Sequence, residues 1–438
     1  MPVALNARRR LTLSVHALIF LSAATQFEIT PLLPHIEHRF GVAEAATALL
    51  VAAPGLATLA VGIPIGLLTE RLGARRVTIA AAVVLSLGAA GQALPAFAAI
   101  LAARFVFGIS YGAILTAGPA WLARAADGAA PARLGATVTS ASVGVIVGPA
   151  IGGLLGERLG VPAPFLLSAA LGILMTVALL ACPDGGAAAL DAPPPAAPWR
   201  ELLAARRAPA VMAAAGGLAI SGAVGGATQL LGPLGLHRAG ASAATIGLIF
   251  SASALIYLLV SAVVVAAGNR AVTTRVNAIA ALGIAATLIP GAVSTHAAAL
   301  TCVLLLMTIP RATVGTISYP LAAGAGISSG IAIGLVNAAW ASGLVATPLL
   351  AGALGPALGT RGVFAVILAL TAAGALCLIA LQRPRPQRRA AQRTTLARHA
   401  ANAAPAALAV SAVSLASVTS SEPGPASCIA PGAWPREP

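Results

Sequence analysis

The chain has 438 residues, of which 59% are hydrophobic and only 8% charged, and its mean hydropathy is +0.95. A soluble globular protein of this size covers its surface with roughly 25% charged residues, so a water-soluble fold is excluded; 46 glycines and an aromatic content of 4% favour close-packed membrane helices over a barrel with aromatic girdles. The formal charge is +15 and every basic residue is arginine, so the lysine of a phosphate-binding P-loop is missing, and no basic stripe with interleaved aromatics points to nucleic acid.

A membrane span needs about 20 mostly apolar residues, and the chain offers twelve: 11–33, 46–68, 76–95, 97–122, 135–156, 163–182, 209–234, 243–267, 276–294, 298–322, 328–354 and 362–381. The first follows Arg8, Arg9 and Arg10, the charge pattern of a cleavable signal, with Ser22-Ala23-Ala24 as its cleavage site. Its apolar run continues to Leu33, too long for a signal core, so a retained helix is expected. Between spans six and seven, residues 183–208 form a Pro/Ala/Gly-rich linker in which 199–207 fits a short amphipathic surface helix or an ordinary loop. Residues 382–438 are basic at first, then rich in Ala, Ser and Pro; the apolar stretch 403–418 is too short for a thirteenth span, and a disordered tail is expected. The domains are therefore 1–182, the linker 183–208, 209–381 and the tail.

Arginine sets the orientation, because cytoplasmic loops carry its excess. With the N-terminus inside, thirteen loop arginines outside the tail fall on the inner face, and four (Arg39, Arg158, Arg238 and Arg361) on the outer. Both termini are expected in the cytoplasm, the protein in the inner membrane. The halves also repeat. GVIVGPAIGGLLGERLG from Gly144 matches GLVATPLLAGALGPALG from Gly343 at an offset of 199, and an offset of 201 sets Glu28 opposite Gln229. Such a six-plus-six duplication is the arrangement of transporters whose site lies between two bundles.

Three stretches carry motifs. The loop after span two reads Gly66-Leu-Leu-Thr-Glu70-Arg71-Leu-Gly73-Ala-Arg75-Arg76; span four places Arg104 ahead of Gly108 and Gly112; span five contains Gly144-x-x-x-Gly148-Pro149-x-x-Gly152-Gly153. With these the chain, over 11–381, resembles the major facilitator superfamily. The loop matches that family's G-x-L-x-D-R-x-G-R-R/K motif, with glutamate in place of aspartate and alanine at one basic position. The span-five run resembles the motif of its twelve-helix drug/metabolite:proton antiporter branch. The second-half copy of the loop, around Gly268-Asn-Arg270, is degraded. The resemblance implies an all-α membrane protein with twelve helices in two pseudo-symmetric six-helix bundles, a cavity lined by spans one, four, seven and ten, no cofactor and no metal.

The residues support physical readings of their own. Glu70 can accept from free N–H groups at the start of a neighbouring helix, such as span eleven at Ser328-Ser329-Gly330, while Arg71 and Arg75 pair with acids or carbonyls, forming a latch; the alternative is plain topology anchoring. The span-five glycines allow close approach to a neighbour, and Pro149 can kink the helix, which in the family reading seals the two halves together. Glu28, Arg104 and Arg311 are the charges left inside spans, and intramembrane charge marks function by default. Glu28 is a proton or substrate-cation carrier, or a structural acid paired with Arg104, or lies at the water side. Arg104 is an organiser or a member of the proton relay. Arg311 binds an anionic group of a substrate, counter-charges Glu28 or snorkels. Gln229, Asn337, Trp340 and Tyr319 could line the pocket or serve as helix-packing residues.

The function expected is secondary active export of a small organic solute in exchange for protons, by a monomer in the lipid bilayer that is not an enzyme and binds no nucleic acid. Proton-coupled uptake and a non-transporting receptor are the alternatives. A net positive cavity favours an anionic or zwitterionic solute.

Overall fold

A computed structural model of the chain describes residues 2–124, 130–182, 203, 205, 207–325 and 329–381. Almost all of the linker, including most of its 199–207 segment, the start of span eleven at Ser328, and the tail from residue 382 lie outside these residues. All described elements are helical: α1 (Pro2–Glu28), α2 (Leu33–Phe40), α3 (Glu44–Leu72), α4 (Ala74–Gln92), α5 (Phe97–Arg124), α6 (Ala130–Leu159), α7 (Pro162–Leu180), α8 (Pro209–Arg238), α9 (Ala243–Ala266), α10 (Thr274–Ala286), α11 (Ile289–Val293), α12 (Ala297–Leu306), α13 (Thr308–Ala323) and α14 (Ser329–Leu381).

Eleven stretches among the described residues are long and apolar enough to cross a membrane. The last is two helices in line, because Gly359 within α14 has φ +63 and ψ 174, a conformation no helix contains. Split there, it gives the twelfth span. Large apolar side chains such as Leu87, Ile173, Val263 and Leu376 are exposed, as lipid contact requires.

Three spans are broken, and proline explains each break, since it cannot donate to the carbonyl four residues back. Pro31 and Pro34 interrupt the first span in a 3-10 turn, Thr30–Leu32, immediately after Glu28. Pro290 separates α10 from α11. Pro310 faces the carbonyl of Leu306, so α12 ends there, and Arg311 enters the first turn of α13.

The duplication is visible as repeated contacts. A Cβ on Gly144 would meet the Phe20 carbonyl and the Ala24 nitrogen; one on Gly343 would meet the Ala219 carbonyl and the Ala223 nitrogen, each pair shifted by 199. Gly153 packs on Ala243 and Ala244, and Gly352 on Glu44 and Ala45, again 199 apart. Turn glycines with positive φ recur at the same shift, Gly41 with Gly240 and Gly160 with Gly359. This register pairs Glu28 with Ala227, not with Gln229, so the offset of 201 read from the first and seventh spans is corrected by two residues.

These contacts also divide the molecule's two ends. Near the turns at Gly41, Gly160, Gly240 and Gly359 the halves meet: α3 against α14 and α6 against α9. At that end Arg238 of α8 reaches Glu44 at 3.1 Å and Glu37 at 3.6 Å. Glu157 accepts the Ala244 N–H at 2.8 Å, and the rings of His35 and His237 lie 5.4 Å apart. At the other end, near Gly73 and Gly268, the halves part. Antiparallel α3 and α14 touch at Ala45–Gly352 and at Gly55–Val345; continuing that register brings Gly66 to Gly334, yet neither has anything within 4 Å of its Cβ position.

Candidate functional site

Between the halves lies a cavity of about 400 Å³. Its wall comes from both: Gln26, Phe27, Thr58, Tyr111 and Ser142 from one side, Thr228, Gln229, Phe250, Tyr257, Arg311, Tyr319 and Trp340 from the other. Most of the lining is apolar, and Arg311 is the one charged side chain in it among the described residues.

Arg311 is held rather than free to snorkel. Its Nε donates to the carbonyl of Ser221 at 3.1 Å, and its guanidinium lies against Gly225, where any larger residue would displace it. The Tyr257 hydroxyl occupies the corresponding gap over Gly315 and is the titratable group beside the guanidinium. Tyr319 donates to Asn337 Oδ1 at 2.7 Å. Asn337 itself is exposed and outside the lining, whereas Gln229, Trp340 and Tyr319 are part of it.

Glu28 and Arg104 occupy a different place, behind the wall, inside the first half. Glu28 is 1% exposed and accepts from the Ser168 hydroxyl of α7 at 2.7 Å. Arg104, fully buried, donates from Nε to the Leu50 carbonyl at 3.1 Å and from Nη1 to the Gln26 carbonyl at 3.5 Å, with its guanidinium 5.6 Å from the centre of the Phe107 ring. No ion pair within 4.0 Å joins Glu28 to Arg104 or to any other described residue. Glu28 Oε1, Gln26 Oε1 and Arg104 Nη2 are buried without a partner among the described residues. Arg311 does not face Glu28, so the cavity's positive charge comes from Arg311 alone, not from two arginines set against one acid.

The span-five glycines divide their work. Gly144, Gly148 and Gly152 seat α6 on the backbone carbonyls of Phe20, Ala24 and Glu28 in α1, within the same half. Only Gly153 and the carbonyl of Pro149 contact the other half, at Ala243 and Gly247 of α9. The expected seal between halves is thus one edge of the motif, and its other edge fixes the helix that carries Glu28. In the loop motif, Gly73 turns the chain from α3 to α4 with φ +88. Arg75 ties α4 to the end of α7, donating to the carbonyls of Leu180 at 2.9 Å and Cys182 at 3.2 Å. Glu70, Arg71 and Arg76 are exposed and have no partner among the described residues; the expected site for Glu70 at Ser328 is outside them.

Sequence reasoning missed Tyr111, Tyr257 and Gln26. A signal was available for the tyrosines: the chain has only three, and all three line this cavity.

Residues 15–328 match the Major Facilitator Superfamily family model. Among solved structures, the chain is similar to a bacterial homologue of the human lysosomal transporter Spinster in an inward-facing, occupied conformation, at 15% identity and TM-score 0.73, covering 87% of this chain and 98% of that one. It is also similar to the nucleoside transporter NupG, at 14% identity and TM-score 0.69, covering 86% of this chain and all of the other. No curated protein matches it in sequence. With the family model spanning more than half its length and its halves closed at one end around a shared cavity, the chain belongs to the major facilitator superfamily, as a multi-pass membrane transporter.

Proposed function

We propose that the protein exports a small organic solute across the inner membrane in exchange for protons, by rocking of the halves 1–182 and 209–381 about the cavity. Both termini and the arginine-rich loops face the cytoplasm, and the conformation described above is then inward-facing, with the outer gate shut by Arg238, Glu37 and Glu44. The protein works as a monomer.

One observation carries the proton coupling: Glu28 is buried, hydrogen-bonded to the neutral Ser168, and not ion-paired with Arg104. A carboxyl held by a hydroxyl can gain or lose a proton without breaking a salt bridge, which a permanently paired structural acid cannot. Its helix is gripped by Gly144, Gly148 and Gly152 of the same half, so Glu28 moves with that half as it rocks. The direction of transport rests on the span-five motif, which resembles that of the antiporter branch. Glu70, Arg71 and Arg75, on the loop that also holds Gly66, Gly73 and Arg76, serve as the inner latch.

The test is flux in vesicles that hold the reconstituted protein and a pH-sensitive dye. Candidate solutes are added, and wild type is compared with Glu28→Gln. Solute-triggered proton movement in the wild type, lost by at least tenfold in a folded Glu28→Gln protein, is the expected result. Undiminished proton movement in the variant overturns the role of Glu28, and solute movement without protons overturns the exchange.

A further inference from the structure

We infer that the solute is an amphipathic organic anion, a carboxylate on an aromatic or bulky apolar body, with its carboxylate on Arg311. This inference deepens the transport reading above and rests on it. The cavity pairs one fixed cation with no acid: no aspartate or glutamate occurs among its lining residues. Only the Nε of Arg311 is used by the protein, on Ser221, and neither Nη group has a protein hydrogen-bond acceptor among the described residues. A guanidinium in an apolar chamber with its fork unfilled is strongly biased towards an anion that can accept two parallel hydrogen bonds.

The rest of the wall describes the body of that anion. Tyr257 stands beside the guanidinium, and Tyr111, Tyr319, Trp340 and Phe250 complete an aromatic enclosure. Aromatic walls favour flat or bulky apolar groups, and their faces also attract cations. Arg311 settles that competition, because a cationic solute would meet like charge in a low-dielectric site with no carboxylate to offset it. The volume of about 400 Å³ admits a two-ring carboxylate and leaves space for a few waters.

Three probes of one size and shape separate charge from bulk: 2-naphthoate, 2-naphthamide and 2-naphthylmethylammonium. Titration calorimetry of the purified full chain in detergent is expected to show naphthoate binding at least tenfold tighter than naphthamide, with the ammonium weakest. Arg311→Gln should remove that tenfold preference, so that naphthoate binds no more tightly than naphthamide; Arg311→Lys should retain part of the preference and shows that the site still folds. Equal affinity for naphthoate and naphthamide, a tighter ammonium, or a full naphthoate preference in Arg311→Gln overturns the inference, as does no binding of any probe at millimolar concentration. Equilibrium binding needs no gradient and does not involve Glu28. Naphthoate binding by the wild type, with no naphthoate-triggered proton movement in vesicles, would therefore sink the exchange mechanism and leave the substrate class standing.

Discussion

At the scale of single residues, glycine and tyrosine tell more about this protein than its charges do. Gly152 allows the backbone of α6 to lie on the Glu28 carbonyl, so even one methyl group there must push α1 away. Overpacking of this kind costs about 1–3 kcal/mol, and Gly152→Ala is expected to lower thermal stability in detergent by that amount. Gly62→Ala, with nothing within 4 Å of its Cβ position, is the matched control and should leave stability unchanged or slightly raised. If both variants melt with wild type, the α1–α6 contact is slack, and the link between span five and Glu28 goes with it. Much of this was legible in the sequence, because a G-x-x-x-G-x-x-x-G run allows close approach and little else. Which helix it approaches was not. A single sequence gives the spacing of a ridge but not the neighbour that fills it. For the same reason the sequence left a pairing of Glu28 with Arg104 open as an alternative, although each bonds to other groups: burial and sign follow from position in a span, whereas a hydrogen-bond partner such as Ser168, 140 residues away, is fixed only by packing.

At the scale of helices, the shut end carries a small polar cluster beside its buried apolar contacts. Arg238, about half exposed, bridges Glu37 and Glu44 from the opposite half and also donates to the Thr360 hydroxyl at 3.3 Å. Exposed ion pairs contribute about 0–1 kcal/mol, a suitable strength for a contact that must break in each cycle. Arg238→Gln is therefore expected to shift the population towards the state open at this end by about two- to fivefold, since 1 kcal/mol corresponds to roughly that ratio. Spin labels on Ala43 and Arg361, both exposed at this end, would report the change as a longer-distance component in a pulsed electron-spin experiment. A distance distribution identical to wild type would mean that the close glycine contacts, Gly153 on Ala243 and Gly352 on Ala45, hold the gate without the arginine. The helix breaks fall at Pro31, Pro34, Pro290 and Pro310, which an apolar span count passes over, whereas the boundary between spans eleven and twelve was legible at Arg361, two residues beyond the turn at Gly359.

At the scale of the whole molecule, the shift of 199 residues links sequence to motion. Two copies of one six-helix unit make the contact of α6 with α9 and that of α3 with α14 equivalent, so both sit at the same end and both must loosen when it opens. A rigid half that rocks open at one end closes at the other. Gly66 and Gly334 then become the place where α3 and α14 meet, since the register that joins Ala45 to Gly352 and Gly55 to Val345 runs on to that pair. Cysteines at both positions, in a chain whose native Cys182, Cys302, Cys377 and Cys428 are replaced by serine, should form a disulfide only when their Cβ atoms come within about 4.5 Å. In the conformation described here nothing lies within 4 Å of either Cβ position. The expected outcome is slow cross-linking at rest, several-fold faster cross-linking when a proton gradient and a transported solute drive cycling, and loss of transport that a reducing agent restores. Cross-linking at one rate under all conditions, or none during active transport, would show that these helices do not close on each other, and the two halves would then have to exchange access by bending within a helix rather than by rocking as units.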